Sequence, residues 1–385
     1  MKCAIYAGSL DPITYGHYNV IQRALYVFDK IIVGIGINPD KRYTFTLEER
    51  ESLARNVLRR FGDRVVVKSF PGLLSDFAYE NDIHTIIRGA RNSADFDFER
   101  LLKDINQSFK KGLETLIFIA DQDLSHISSS AAKELTRNQA ENLLEYVPLI
   151  VKRALERRVS GQYFVGITGE IGCGKSHVAE ALCKYHKDYF AHESMPIHNV
   201  DLDSIGHDIL ERATEPIYVD TREEIAREFD KNLLKKDGMI DVPHLGEIIF
   251  KDLSAMSTFN EIMKAPMSLF LRRKLLPLKG IIFINSALIA EADISTIVNN
   301  DVIVVRSSKE IQIERLKKRG YSDKIIEQRI AVQLPMEEKL KILKSKQEKY
   351  GHGKFIVFDN DMDFCPNIHK LYHQFQSEIL NYDIR

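Results

Sequence analysis

The chain has no excess of charge of either sign. Its 385 residues carry 54 Lys and Arg against 55 Asp and Glu, a formal net charge of −1. A dedicated nucleic-acid binder shows a basic surplus and an acidic disordered chain the reverse, so neither class is expected. The balance does not hide two opposed halves. Residues 1–160 hold 23 basic and 21 acidic residues and the remainder 31 and 34, so neither end is a charged arm. Cysteine is scarce too. Cys3, Cys173, Cys183 and Cys365 lie far apart with no CxxC spacing. That forms neither a zinc pattern nor a disulfide framework, and points to reduced thiols. Long apolar runs are missing. The most hydrophobic stretch, residues 280–292, is broken by Asn285 and Ser286. Only five apolar residues separate Lys2 from Gly8, too few for a signal peptide. Internal repeats and low-complexity segments are also lacking. The expectation is a cytoplasmic protein with no membrane or nucleic-acid partner.

What is present is ordinary globular content. Hydrophobic residues make up 44%, enough for sizeable cores, and the length suggests two or three domains. Two segments open alike, with an apolar run, a Gly-bearing turn and a helical pattern: residues 3–17 and 163–182. Each reads as the first strand of a parallel α/β unit, whose ligands bind at the strands' carboxyl ends. Between them VKRALERRVSGQ, residues 151–162, reads as a basic helix end and linker. We expect domains at 1–158 and 159–385. Strands are expected at 2–7, 30–37, 64–70, 85–88 and 115–120, then at 163–168, 197–200, 280–284, 301–305 and 354–358. Helical patterns alternate with the strands, which predicts parallel sheets covered by helices on both faces.

Five features of the first half suit phosphate chemistry. TYGH, Thr14–His17, enters a helix, where free N–H groups and the dipole favour an anion. Asp11–Pro12 makes a tight turn before it. Lys41 and Arg42 follow the second strand. IRGAR at 87–91 sets Arg88 and Arg91 around Gly89, and guanidinium forks match phosphate. ISSS at 127–130 opens another helix with hydroxyls and N–H groups. Singly each is a cap or a solvated charge. Together they fall at the carboxyl ends of expected strands.

These stretches, with PDKRYTFTLEER and ADFDFE, stand in the order and spacing of bacterial phosphopantetheine adenylyltransferase, which residues 1 to about 157 resemble. The resemblance implies a nucleotidyltransferase-type doubly wound parallel sheet. It implies transfer of AMP from ATP to 4′-phosphopantetheine, giving dephospho-CoA and pyrophosphate without a covalent intermediate. It assigns His17 to the α-phosphate, Lys41, Arg88 and Ser9 to the acceptor phosphate, and Leu74 to the pantetheine channel. ATP would be held by Ser9, Leu10, His17, Gly89, Ala90, Arg91 and Glu99, with Leu124, Ser125, His126, Ile127, Ser128, Ser129 and Ser130. Ser9–Leu10 stands where Thr-Phe is usual, and Leu124 where an aromatic residue is common. A hexamer formed through this half is also implied.

The second half carries GEIGCGKS, Gly169–Ser176, a G-x-x-x-x-G-K-S phosphate loop between an expected strand and helix. Its N–H groups would wrap phosphates, Lys175 would bridge the β- and γ-phosphates, and Ser176 would ligate Mg²⁺. NVDLD at 199–203 adds Asp201 and Asp203 for metal or general-base work. Arg315, Lys317, Lys318 and Arg319 form a cationic helix face able to close over transferring phosphate.

With LIAE at 288–291, RIAVQ at 329–333 and FDN at 358–360, residues 163–360 are similar to dephospho-CoA kinase. The resemblance implies a P-loop kinase-type α/β domain with a helical lid, phosphorylating the ribose 3′-hydroxyl of dephospho-CoA. Asp203 would be the base and Asp201 its neighbour at the metal. ATP would contact Glu170, Ile171, Gly172, Cys173, Gly174, Lys175, Ser176 and His177, along with Arg315, Arg319, Gln333 and Asn360. Departures fall at Ala265, where His is usual, at Ala287 within the V-P-L-L-x-E position, and at Met336, where Arg is common. They leave open an alternative in which only the adenylyltransferase works and the second half binds nucleotide without turnover. A nicotinamide mononucleotide acceptor is a further alternative, opposed by ISSS, IRGAR and ADFDFE.

Overall fold

The computed structural model describes residues 1–37, 41–190, 195–249, 252–361 and 364–380. Pro39 and Asp40 of the PDKRY stretch, and part of the link between residues 184 and 199, lie outside them. The chain separates into two compact units, Met1–Ser160 and Gly161–Arg385.

The first unit is built on a five-stranded parallel sheet of β1 (Cys3–Gly8), β2 (Lys30–Gly36), β3 (Val65–Phe70), β4 (Thr85–Ala90) and β5 (Glu114–Ile119), in the order β3-β2-β1-β4-β5. Strands β1 and β2 are apolar along their length because helices cover both faces, so no polar alternation is needed. One face packs Ala4, Tyr6, Val33 and Ile35 against Val20, Ile21 and Leu53. The other packs Ile5, Ile32 and Phe70 against Ala78. The chain order reverses between β1 and β4, which opens the crevice used for ligands in such sheets. Local chemistry fixes the helix starts around it. Thr46 and Glu49 form a reciprocal cap on the helix Leu47–Leu58, and Ser128 accepts from the Ala131 N–H on the helix Ser129–Arg137.

The basic segment VKRALERR is not a linker. Val151, Lys152, Arg153 and Leu155 are buried, and Lys152 pairs with Glu156 at 2.6 Å. Its apolar residues sit in the first unit's core, and Gly161 alone leads to the next strand.

The second unit holds β6 (Gln162–Gly169), β7 (Ile197–Asp201), β8 (Gly280–Asn285), β9 (Val302–Arg306) and β10 (Phe355–Asp359), parallel in the order β10-β9-β6-β8-β7. Every residue of β8 is buried. The helix Lys175–Phe190 follows β6 and packs Val178, Ala179 and Leu182 with Ile368, Leu371 and Phe375 of the helix Phe364–Phe375. Among the described residues, no helix is long and apolar enough to cross a membrane.

Candidate active sites

In the first unit the loop after β1 is held from three sides. The buried Asp11 carboxylate accepts from the N–H groups of Thr44 and Phe45 at 3.0 and 2.9 Å, and pairs with Lys133 at 2.5 Å. Burial alone would raise its pKa, but Lys133 and the two N–H groups outweigh burial and lower it. Arg50 donates to the carbonyls of Ser9 and Gly36 and lies 4.0 Å from the Tyr43 ring centroid. Ser129 donates to the Pro12 carbonyl at 2.8 Å. Three loops at the carboxyl edge of the sheet are thereby fixed together: those after β1 and β2, and the one opening Ser129–Arg137.

His17 occupies the first turn of the helix Tyr15–Ala24. Its Nδ1 accepts from the Thr14 backbone N–H at 3.0 Å. A backbone amide is always a donor, so Nδ1 carries the lone pair and Nε2 the proton. The ring keeps part of its surface open to the crevice. The surrounding protein pushes its pKa down to about 4, and the Arg91 charge adds to that. His17 is a neutral hydrogen-bond donor.

Arg88, at the end of β4, makes a fork with the buried Glu99, Nε to Oε2 at 2.5 Å and Nη2 to Oε1 at 2.7 Å, while Nη1 donates to the Ala7 carbonyl at 2.6 Å. One N–H on each terminal nitrogen stays available. Arg91 is exposed and pairs with Asp95 at 2.9 Å. Gly89 lets Val20 approach to 3.0 Å of where a Cβ would stand, and Ala90 is buried. Ile127 is buried, Leu124, Ser128 and Ser129 are part-buried, and Ser125, His126 and Ser130 are exposed. A cavity of about 380 Å³ beside them is lined by Ala90, Arg91, Asn92, Ser93, Phe96 and Ile119. Lys41 is exposed, three residues before the Thr44 amide held by Asp11. Leu74 opens the helix Leu74–Glu80 and packs beside the second core of the unit.

In the second unit the loop from Gly169 to Lys175 depends on glycine. A Cβ at Gly169 would stand 2.0 Å from the Val305 carbonyl oxygen, and at Gly174 2.5 Å from Asn360 Nδ2, both with positive φ. Side chains from several elements brace the loop backbone. Gln333 accepts from the Ile171 N–H at 2.7 Å. Asn360 donates to the Cys173 carbonyl at 2.8 Å. Arg315 donates to the Cys173 carbonyl at 3.0 Å, to Ser307 Oγ at 3.0 Å and to the Asn360 carbonyl at 2.8 Å. Glu170 accepts from Gln312 at 2.9 Å. Carbonyls tied outward leave amides to face a ligand. Arg315 and Asn360 therefore serve the loop itself, while Arg319, at the end of the same helix as Arg315, is exposed.

Ser176 Oγ donates to Asp201 Oδ2 at 3.3 Å, and Asn285 Nδ2 reaches both, at 3.1 and 3.3 Å. Ser176 lies in the first turn of the helix after the phosphate loop, and Asp201 and Asn285 are the last residues of β7 and β8. The other oxygen of Asp201 caps the next helix through the N–H groups of Asp203 and Ser204. Asp203 is exposed. Surrounding protein raises its pKa, Lys175 opposes this and the like charge of Asp201 reinforces it. Such a carboxylate is a better base than a free aspartate. His177 is exposed, and burial raises the pKa of Cys173.

Comparison with known proteins gives the first unit its family. The Cytidylyltransferase-like profile matches residues 5–135. A phosphopantetheine adenylyltransferase of Clostridium tetani is 44% identical over 135 residues, 35% of this chain and 84% of that protein. Those of Hahella chejuensis and Geotalea daltonii are 39% and 40% identical over 158 and 160 residues, each 41% of this chain and 97% of the relative. The chain belongs to the phosphopantetheine adenylyltransferase family. The Dephospho-CoA kinase profile matches residues 163–346, so this adenylyltransferase carries a dephospho-CoA kinase domain after it. A solved dephospho-CoA kinase from Campylobacter jejuni covers 56% of this chain and 97% of its own, at 22% identity and a TM-score of 0.32, too low to carry an argument.

Some of the places where this chain departs from the two families have structural explanations. Ser9 contributes its carbonyl, to Arg50, and Leu10 is buried at positive φ. At Ala287 the carbonyl makes the contact, accepting from Thr168 at 3.3 Å and from the fully buried Lys339 at 3.0 Å. Lys339 also pairs with Glu291. Met336 is buried in the apolar core of the second unit. Ala265 is exposed on the helix Leu253–Leu275, and nothing in the structure explains it. Arg50, Lys133, Asn285 and Lys339 are the residues that sequence reasoning missed.

Proposed function

We infer that this chain is a bifunctional enzyme of coenzyme A synthesis. In the first unit a phosphate oxygen of 4′-phosphopantetheine attacks the α-phosphorus of ATP, the bond to pyrophosphate breaks, and dephospho-CoA forms. His17 Nε2–H donates to an α-phosphate oxygen as charge builds there, and the neutral ring does so as a hydrogen-bond donor that keeps its proton. Lys41 and the two remaining N–H groups of Arg88 hold the acceptor phosphate. The amides of Ser129 and Ser130 with Arg91 hold the nucleotide, and Leu74 lines the pantetheine path. The family membership carries this reading, and the fixed tautomer of His17 supports the role given to it.

In the second unit the ribose 3′-hydroxyl of dephospho-CoA attacks the γ-phosphorus of a second ATP. Asp203 takes the hydroxyl proton, Lys175 spans the phosphates, and ADP leaves. The hydroxyl of Ser176 and the carboxylate of Asp201 form a hard oxygen set that suits Mg²⁺ completed by phosphate oxygens and water. Bound there, the ion neutralises phosphate charge. The kinase profile and the braced loop support this step. We place both reactions in the cytoplasm, where ATP is supplied.

Phe96, Phe98, Leu101, Ile105 and Phe109 leave an exposed apolar stripe beside Ile119 of the edge strand β5. We assign it to contacts between copies of the first unit. Phe98→Glu should lower the mass measured by light scattering, and an unchanged mass would refute the assignment.

Paired variants test the two roles. His17→Ala should slow adenylyl transfer by about 10²–10³ while supplied dephospho-CoA is still phosphorylated. Lys175→Met should do the reverse. Either variant impairing both steps equally would contradict the division of labour.

A further inference from the structure

The helix Phe364–Phe375 buries one face against the helix that follows the phosphate loop. On the exposed flank of that contact stand His369 and His373, one turn apart, His369 beside Tyr185 and His373 beside Phe190. Their Nε2 atoms stand 3.2 Å apart, with ring centroids at 4.5 Å and planes crossed at 77°. Side chains four residues apart on a helix are neighbours, and these two meet through the same nitrogen, at hydrogen-bond distance. Tyr185 meets His369 edge-on at 5.4 Å and supports that ring.

Two imidazole nitrogens bound to one zinc ion, each about 2.0–2.1 Å away at the tetrahedral angle, lie about 3.3 Å apart. The observed separation matches that bite before any metal is added. Imidazole pairs suit Zn²⁺, Cu²⁺ and Ni²⁺ and do not suit Mg²⁺. Neither histidine belongs to the phosphate-transfer machinery. Among the described residues no cluster of three or more His, Cys, Asp or Glu side chains forms a metal group, so water would complete the coordination.

We propose that His369 and His373 form a two-histidine site for a borderline divalent metal ion of the zinc class. The ion would tie two successive turns of the helix that backs the phosphate-loop helix. A metal bound to this geometry and not to the unfolded chain stabilises the folded form by mass action.

The test is a Zn²⁺ titration of the tag-free full chain with isotope-labelled histidine. His369→Gln and His373→Gln identify the two ring signals. Both signals should move together and saturate at one equivalent, and either substitution should weaken this event at least tenfold. The double variant H373Q/Q374H keeps two exposed imidazoles but moves one off the shared face, and should also lose the event. Kinase turnover without zinc should match the parent in all three, which shows that they fold. If Zn²⁺ leaves both signals in place, or if the variants bind as tightly as the parent, the pair is only a hydrogen-bonded couple and the proposal fails.

Discussion

The state of His17 can be tested in isolation from turnover. Its pKa falls from 6.5 to about 4, by about 2.5. At 1.36 kcal/mol per unit that is about 3 kcal/mol of preference for the neutral ring. Between pH 6.5 and 4 the unfolded chain binds the proton more readily than the folded one. The contribution to stability is therefore complete above pH 6.5 and is lost as pH falls toward 4, with about 2 kcal/mol gone by pH 5. The cause is mainly burial, with Arg91 adding to it, and the Thr14 N–H held by Nδ1 opposes protonation there as well. The assay is a pH titration of histidine ring signals in the full chain, with the His17 signal identified by its absence from His17→Gln. That signal should stay unshifted from about pH 7.5 to 5.5. Adenylyl transfer should show no loss assignable to His17 over the same range. A midpoint between about 6 and 7 would refute the neutral-donor argument, because an imidazolium cannot accept the Thr14 N–H at Nδ1.

Other consequences follow from the ties around each site. Lys133→Met leaves the buried Asp11 with only its two N–H partners, and should cost about 2 kcal/mol, seen as a lower first transition in thermal unfolding. Asn285→Leu removes the amide that joins Ser176 to Asp201. It should raise the Mg²⁺ concentration for half-maximal kinase activity about tenfold, as expected for an outer-shell partner, with adenylyl transfer unchanged. Arg315→Met frees the Cys173 and Asn360 carbonyls. It should raise the KM for ATP and lower kcat in the kinase step alone, whereas a residue that only neutralised the transition state would change kcat with KM kept.

Much of this was legible in the sequence for a physical reason. Strands such as β1, β2 and β8, buried on both faces, read as unbroken apolar runs, and all ten strands lie within about two residues of the expected ranges. The phosphate loop was visible because its glycines are dictated by backbone geometry at Gly169 and Gly174. Other features rest on contacts that sequence spacing does not encode. Asn285 read as a polar break in an apolar run, yet it is buried at the end of β8, facing Ser176 and Asp201. Arg315 read as part of a lid, but its guanidinium finds acceptors in the loop after β6 and the segment after β10, far away in the chain. Lys152 and Arg153 read as a basic helix end leading into a linker, while in the structure both are buried on the helix Leu149–Leu155.

The central claim is that one chain performs both transfers. The most direct measurement incubates the purified full chain with ATP, Mg²⁺ and 4′-phosphopantetheine and resolves the products by mass over time. The account predicts that dephospho-CoA appears first and is converted to CoA, with one pyrophosphate and one ADP formed per CoA. Dephospho-CoA accumulating with no CoA would contradict the kinase assignment, and no adenylylated product at all would contradict the account from its first step.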